Sequence, residues 1–316
     1  MLSLFRPNHD VQIAQPGPDW RPASDTVWID LLNPTEAEED AVELALGIDI
    51  PTREEMAHIE PSSRLYQENG ATFMTATLLA HSQDQHPTSV AVTFILVHNL
   101  LVTVRYDELK AFNIYAARLG GAGSIHSADL FLGLMDAVVE RLAETLEQTS
   151  AQVEACAVEI FGPSRARRFE PLLTALARAQ SISALARSAL VSLGRLCGYA
   201  ALAPEITQSL ASPPHLSALQ HDIQSLTEQA SYKSSHIAFL LDAALGLINI
   251  EQNGIIKFFS VVAVIFLPPT LVASIYGMNF DHMPELHWVA GYPMALGMMV
   301  ASVVLPLVWF RRKGWF

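Results

Sequence analysis

Apolar and polar positions follow three different rhythms along this chain, and each predicts a different kind of structure. In the first hundred or so residues, short runs such as TVWIDL, ATFMTATLLA, SVAVTFILV and LLVTVR are rich in β-branched and aromatic residues and end at turn signals. Strands are therefore expected at 26–31, 63–67, 71–80, 89–97 and 101–105, with a further short strand at 2–5. Asn69-Gly70 joins two of these runs and tolerates the positive φ that a tight hairpin needs, and His98-Asn99 joins another two. Asn33-Pro34-Thr35 ahead of EAEEDAVELAL predicts a capped helix whose first turn holds Glu36, Glu38, Glu39 and Asp40, where the helix dipole favours them. A second short helix is expected at 52–58.

From residue 108 the apolar spacing changes to three and four. Helices are expected at 108–118, at 127–161 with Ser127 as its cap and Gly162-Pro163 as its stop, and at 165–203, the last two forming an antiparallel pair. Ser212-Pro213-Pro214 then opens the longest element, with no breaker before Pro268. Leu216, Leu219, Ile223, Leu226, Ala230, Ile237, Leu240, Ala244 and Leu247 form a seam along it, with Lys233 filling the one gap. Continued to the end of the next apolar run, this helix would be about 80 Å long at about 1.5 Å per residue. A rod of that length exceeds what one small domain buries, so the seam implies neighbouring copies.

In the last sixty or so residues alternation stops altogether. The runs at 258–276 and 291–310 carry no charged side chain, and each is long enough to cross the roughly 30 Å hydrocarbon layer as a helix, which pairs its backbone groups internally. Lys257 precedes the first run and Arg311, Arg312 and Lys313 follow the second, while 277–290 has no Lys or Arg. Positive flanks stay inside, so both termini are expected in the cytoplasm. The fold class expected is an α+β cytoplasmic domain, a mixed sheet with helices, over 1–210. A stalk helix at 211–257, a first transmembrane helix at 258–276, an outer loop at 277–290, a second transmembrane helix at 291–310 and a basic tail at 311–316 follow.

Composition narrows the chemistry. A formal net charge of −13 argues against nucleic acid as a partner and suits cations, although solubility alone accounts for acidity. Cys156 and Cys197 stand far apart with no CxxC spacing, which excludes a disulfide framework and a thiolate metal site. The apolar part of MLSLFRPNHD is too short for a secretory signal. No catalytic constellation points to an enzyme. Along the first apolar run Asn253, Ile256, Ser260, Ala263, Leu267, Thr270, Ser274 and Gly277 advance by three or four, and four of these eight are polar. Polar residues at membrane depth face a water path or a neighbouring helix.

Where that run ends the chain reads Tyr276-Gly277-Met278-Asn279-Phe280, then Met283-Pro284-Glu285-Leu286. This resembles the signature of the CorA family of magnesium channels, and TVWIDLLNPTEAEE and the basic end FRRKGWF are similar to that family's opening strand and helix and its tail. The resemblance implies a homopentameric funnel in the bacterial inner membrane, with five first helices around a pore and the second helices outside them. It implies Gly277, Met278 and Asn279 as the selectivity filter and Asn253, Ser260, Ala263, Thr270 and Ser274 as pore lining. Ile256, Phe259 and Leu267 take the place of a hydrophobic gate, and Lys257 of a basic belt at lipid phosphates. Mg²⁺ holds its water tightly, so a ring of neutral amides that accepts hydrogen bonds from bound water selects the hydrated ion and still releases it.

Asp281 and Glu285, in a loop without basic residues, would concentrate cations at the mouth. His282 and His287 are possible ligands for softer divalent ions, or ordinary loop residues. The family closes when cytoplasmic Mg²⁺ bridges carboxylates of neighbouring subunits. Here the position of the family's stalk aspartate falls near Ala218, so Asp222, together with Asp84 in a loop of the sheet domain, is the nearest regulatory candidate, with His215 and His221 close in sequence. The function expected is influx of Mg²⁺, with Co²⁺ and Ni²⁺ as further ions and no cofactor beyond Mg²⁺ as the transported and regulatory ion. Two alternatives stay open: a zinc transporter of the same two-helix superfamily, with or without proton coupling, and a membrane-anchored scaffold with no ion path.

Overall fold

The computed structural model describes residues 1–6, 11–17, 20–57, 64–84, 87–119, 126–162, 168–208, 212–279 and 283–314, the side chains of Glu285 and Leu286 excepted. The chain forms two compact units, Met1–Leu241 and Asp242–Phe316.

The first unit is built on a seven-stranded sheet: β1 (Leu2–Phe5), β2 (Gln12–Ala14), β3 (Trp28–Leu32), β4 (Leu65–Glu68), β5 (Ala71–Ala80), β6 (Thr88–Val97) and β7 (Leu100–Arg105). Their order across the sheet is β2-β1-β3-β7-β6-β5-β4. All neighbours are antiparallel except β3 and β7, which run parallel from Trp28↔Leu101 to Leu32↔Arg105. The sheet is thus mixed, as expected. The β4–β5 and β6–β7 hairpins turn on Asn69 (φ 50°) with Gly70 (φ 77°) and on His98 (φ 48°) with Asn99 (φ 65°). Positive φ at both central residues matches the right-handed strand twist, and Asn and Gly reach it at small cost.

Because side chains alternate across a strand, β6 sends Val92, Phe94 and Leu96 to one face and Ile95 and Val97 to the other. On the second face lie α1 (Glu36–Leu46) and α2 (Arg53–Ala57), which bury Val42 and Met56 against Ile29, Leu31, Phe73 and Val102. The acidic start of α1 is structural: the Glu38 carboxylate accepts the Thr35 N–H at 2.9 Å and meets the Met1 ammonium at 2.9 Å. The first face is covered by α3 (Lys110–Leu119), α4 (Ser127–Phe161), α5 (Phe169–Ala200) and the short α6 (Pro204–Thr207). Ser127 is not the cap of α4 but its first helical residue. His126 occupies the cap position, and the Asn99 side chain, brought over by the β6–β7 turn, accepts from both the N–H and the hydroxyl of Ser127 at 3.2 Å.

At the parallel β3–β7 pair an ion pair is sealed inside. Asp30 and Arg105 are each 3 % exposed. Arg105 donates through Nη2 to Asp30 Oδ2 at 2.8 Å and through Nε at 3.1 and 3.2 Å, and its Nη1 donates to the Asp107 carbonyl at 2.9 Å. Thr103 donates to Asp30 at 2.7 Å and the Trp28 indole N–H to Thr103 at 2.9 Å, while the guanidinium lies 4.8 Å from the Phe112 ring centroid.

The longest helix, α7 (Ser212–Tyr276), carries the seam. Its expected use was association between copies, and the structure corrects this. Leu216, Leu219, Ile223 and Ala230 belong to the core shared with α4 and α5, and Ile237, Leu240 and Ala244 are also fully buried within the single chain. The reason is length: within the first unit α4 and α5, at 35 and 32 residues, are long enough to flank the seam themselves. The gap at Lys233 is a polar layer in which Lys233 bonds Ser150 of α4 and Gln180 of α5 donates to Ser234 at 2.7 Å. The chain accordingly divides inside α7, at 241/242, and not at its start.

The loop after β5 is clasped by His81, which adopts φ 54°. Its Nδ1 lies 3.0 Å from Asp84 and its Nε2 3.1 Å from Asp107, while Arg178 donates to the carbonyls of Gln83 and Asp84 at 2.8 and 2.9 Å. The hydrogen bond to Asp107 raises the imidazole pKa above its ordinary value; burial opposes it, and the hydrogen bond to Asp84 and the charges of both carboxylates add to the rise.

Two outcomes are expected. Asp30→Ala leaves the buried guanidinium uncompensated and should destabilise the full-length protein by about 3–5 kcal/mol in denaturant unfolding, whereas Asp30→Ala combined with Arg105→Met should cost less than Asp30→Ala alone. The His81 clasp, having a raised folded pKa, holds fully below the unfolded value of about 6.5 and loosens as pH rises through the folded one. Hydrogen exchange of the 81–84 backbone, corrected for intrinsic base catalysis, should speed up over that window, and His81→Gln should remove the dependence.

Candidate functional site

The chemistry-bearing stretch lies in the second unit, on the last part of α7 and the connection to α8 (Gly291–Arg312). Both α7 and α8 contain stretches long and apolar enough to cross a membrane. No described residue from 251 to 279 is buried, and Ile256, Phe258, Phe259, Phe266, Leu267 and Leu271 are exposed to water in the single chain. Apolar side chains in such number require lipid or protein around them.

A continuous helix brings Asn253, Ile256, Ser260, Ala263, Leu267, Thr270 and Ser274 onto one stripe, with Gly277 following at its end. Of these, Ser260 and Ala263 are half-buried and the others exposed. Phe259 lies beside the stripe, edge-on to Phe258 at 5.7 Å between centroids. Ser260 donates its hydroxyl to the Ile256 carbonyl at 2.7 Å and Thr270 to the Phe266 carbonyl at 2.6 Å. Each hydroxyl proton is thereby satisfied on the helix itself, and the oxygen lone pairs remain free to accept from water or a hydrated ion. Pro268 and Pro269 sit inside the helix and have no N–H to give to the carbonyls of Val264 and Ile265. Two acceptors are left within the apolar stretch.

The helix ends where the motif begins. Gly277 donates to the Ala273 carbonyl at 2.9 Å, and Met278 to the Ile275 carbonyl at 3.3 Å. A Cβ on Gly277 would lie 3.0 Å from the Ala273 oxygen, so any larger residue would press on the last helical turn. Gly277, Met278 and Asn279 are exposed, and Asn279 is the last described residue before the connection. Asp281 and His282 lie outside the described residues, as does the side chain of Glu285. The backbone of 284–287 forms one 3₁₀ turn, with His287 exposed.

The two regulatory candidates lie in the first unit, in separate surroundings. The Asp84 carboxylate is taken by His81. Asp222 on α7 borders a hollow of about 360 Å³ with Asp136 and Glu140 of α4 and with Ser225. His215 lies 2.7 Å from Asp136. The neighbours His81, Asp107, Asp136 and Glu140 left no signal in the sequence, because most of them reach the site from another element of the fold. Among the described residues no group of three or more His, Cys, Asp or Glu is placed to hold a metal ion. Cys156 and Cys197 are buried and free, and burial pushes the Cys197 thiol up to about 12.

Comparison with known proteins bears directly on this arrangement. The family described as "CorA-like Mg2+ transporter protein" matches residues 23–312. The magnesium transport protein CorA of Haemophilus influenzae is 34 % identical over 318 residues, covering the whole of both chains, and that of Escherichia coli K12 is 32 % identical over 317 residues, again covering both. Among solved structures, the complete CorA magnesium transporter of Methanocaldococcus jannaschii shares the fold, with a TM-score of 0.74 at 18 % identity over 100 % of this chain and 99 % of that one. With matches running from the first strands through both apolar helices and the Gly277-Met278-Asn279 end, the chain belongs to the CorA-like Mg²⁺ transporter family.

Proposed function

We propose that this protein is a divalent-cation channel that admits Mg²⁺, and also Co²⁺ and Ni²⁺, across the bacterial inner membrane with both termini in the cytoplasm. The observation that carries the proposal is the position of Asn279, directly beyond the end of an apolar helix that bears a polar stripe. In the homopentamer, five copies of Asn279 ring the outer mouth. Their amide oxygens accept hydrogen bonds from the water shell of Mg²⁺, which the ion gives up reluctantly. Neutral amides attract without trapping, and carboxylates in the same ring would hold the ion too long. Gly277 keeps the backbone beneath the ring open, and Asp281 and Glu285 raise the cation concentration above it.

Below the filter Ser274, Thr270, Ala263, Ser260 and Asn253 line the path. Ser260 and Thr270, their protons committed to the helix, present acceptors to the cation's water. Ile256, Phe259 and Leu267 form the constriction that closes by dewetting. Their exposure in the single chain agrees with a role completed only when copies surround the axis. Asp84 and Asp222 act as the cytoplasmic Mg²⁺ sensor between neighbouring subunits, where the metal competes with His81 for Asp84.

Ion flux into proteoliposomes tests the proposal. Asn279→Ala should abolish Mg²⁺ uptake, and Ile256→Gly or Phe259→Gly should leak when the wild type is closed by Mg²⁺ on the cytoplasmic side. Flux unchanged by Asn279→Ala identifies a scaffold with no ion path. Zn²⁺ flux that follows a pH gradient and exceeds that of Mg²⁺ identifies the zinc-transporting alternative.

A further inference from the structure

The connection between the two membrane helices ends in a cluster that the ion path does not use. After the 3₁₀ turn Pro284–His287 the chain closes a tight turn in which Gly291 donates to the Trp288 carbonyl at 3.0 Å. This turn holds Trp288 and Val289 outward: Trp288 is 59 % exposed and Val289 wholly so. Tyr292, in the first turn of α8, is 76 % exposed. Three large apolar or amphipathic side chains thus project from five consecutive residues, in a connection with no Lys or Arg.

The helix that follows explains what they meet. One side of α8 is turned inward through Ala295 and the half-buried Met294, Met299 and Ser302, while Tyr292, Leu296, Val300, Val304 and Val308 form an exposed stripe at intervals of four. The stripe has no polar group below Tyr292, as a face against acyl chains should. At its other end Trp309 has the Lys313 ammonium 5.2 Å from its ring, followed by Arg311 and Arg312. From Gly291 to Trp309 the helix rises about 27 Å at about 1.5 Å per residue, close to the roughly 30 Å of hydrocarbon in a bilayer. Amphipathic rings therefore bracket one hydrocarbon thickness. Indole N–H and phenol O–H groups need a wet partner while their rings need an apolar one, a combination that a headgroup layer supplies and a dry seam between protein copies does not.

We propose that Trp288, Val289 and Tyr292 anchor the connection in the phospholipid headgroup layer, so that the lipid surface is a direct partner of the loop that follows Gly277-Met278-Asn279. The anchor rests on the transmembrane placement of α8 and not on the ion path. Its failure would leave the Asn279 proposal standing, and the reverse holds as well.

Tryptophan quenching in the reconstituted full-length protein tests this. The Trp288 signal is the difference between wild-type and Trp288→Phe emission in phosphatidylcholine vesicles. Lipids brominated near the headgroup should quench this difference roughly twofold more than lipids brominated near the chain terminus, and aqueous iodide should leave it unchanged. Quenching by iodide instead would show a loop free in water, and resistance to every quencher would show a seat between protein copies; either overturns the proposal. A nitroxide on Val289→Cys gives an independent reading. Collision with oxygen should exceed collision with a water-soluble nickel chelate, and the opposite order again overturns the anchor.

Discussion

One helix has to satisfy two solvents. Along its first part α7 meets a water-soluble helix pair, and it does so with a seam of small and branched apolar residues interrupted once by Lys233 and Ser234. Along its last part it has no buried residue and no charge between Lys257 and the motif. Hydrogen bonding within the helix makes the second part possible, since hydrocarbon offers the backbone no partner. Where Pro268 and Pro269 interrupt that bonding, they do so beside hydroxyl-bearing positions and not within the seam. The division between the two compact units falls inside this helix, whose backbone continues across it.

The sheet domain is organised around a different constraint, the cost of an unpaired charge away from water. Asp30 and Arg105 come from the two strands of the parallel pair, and each oxygen and most of the guanidinium protons have a partner. The same arginine fixes the Asp107 carbonyl, the Asp107 carboxylate holds His81, and His81 holds Asp84. A surface carboxylate offered as a cation sensor is in this way tied through three polar contacts to the middle of the sheet.

Acidity is spread over the body of the chain, while basic residues flank the apolar stretches at Lys257 and at Arg311 to Lys313. That asymmetry, together with aromatic side chains at both ends of α8, is what the proposed lipid anchor of the second helix draws on. The proposed transport chemistry asks little more of the individual chain than acceptors carried on a helix that lipid tolerates.

Much of this could be read from the residues alone. Charge-free length, turn dipeptides such as Asn69-Gly70 and the Gly277-Met278-Asn279 end are local properties, and local properties survive in any context. Strand order, the parallel pairing of β3 with β7, the capping of α4 by Asn99 and the gathering of His81, Asp84 and Asp107 depend on segments far apart in the chain, which no local pattern brings together. The seam of α7 shows the boundary most plainly. Its periodicity determined that a partner lies along the helix, but burial is decided by whatever stands alongside, and only the tertiary structure revealed that α4 and α5 of the same chain stand there.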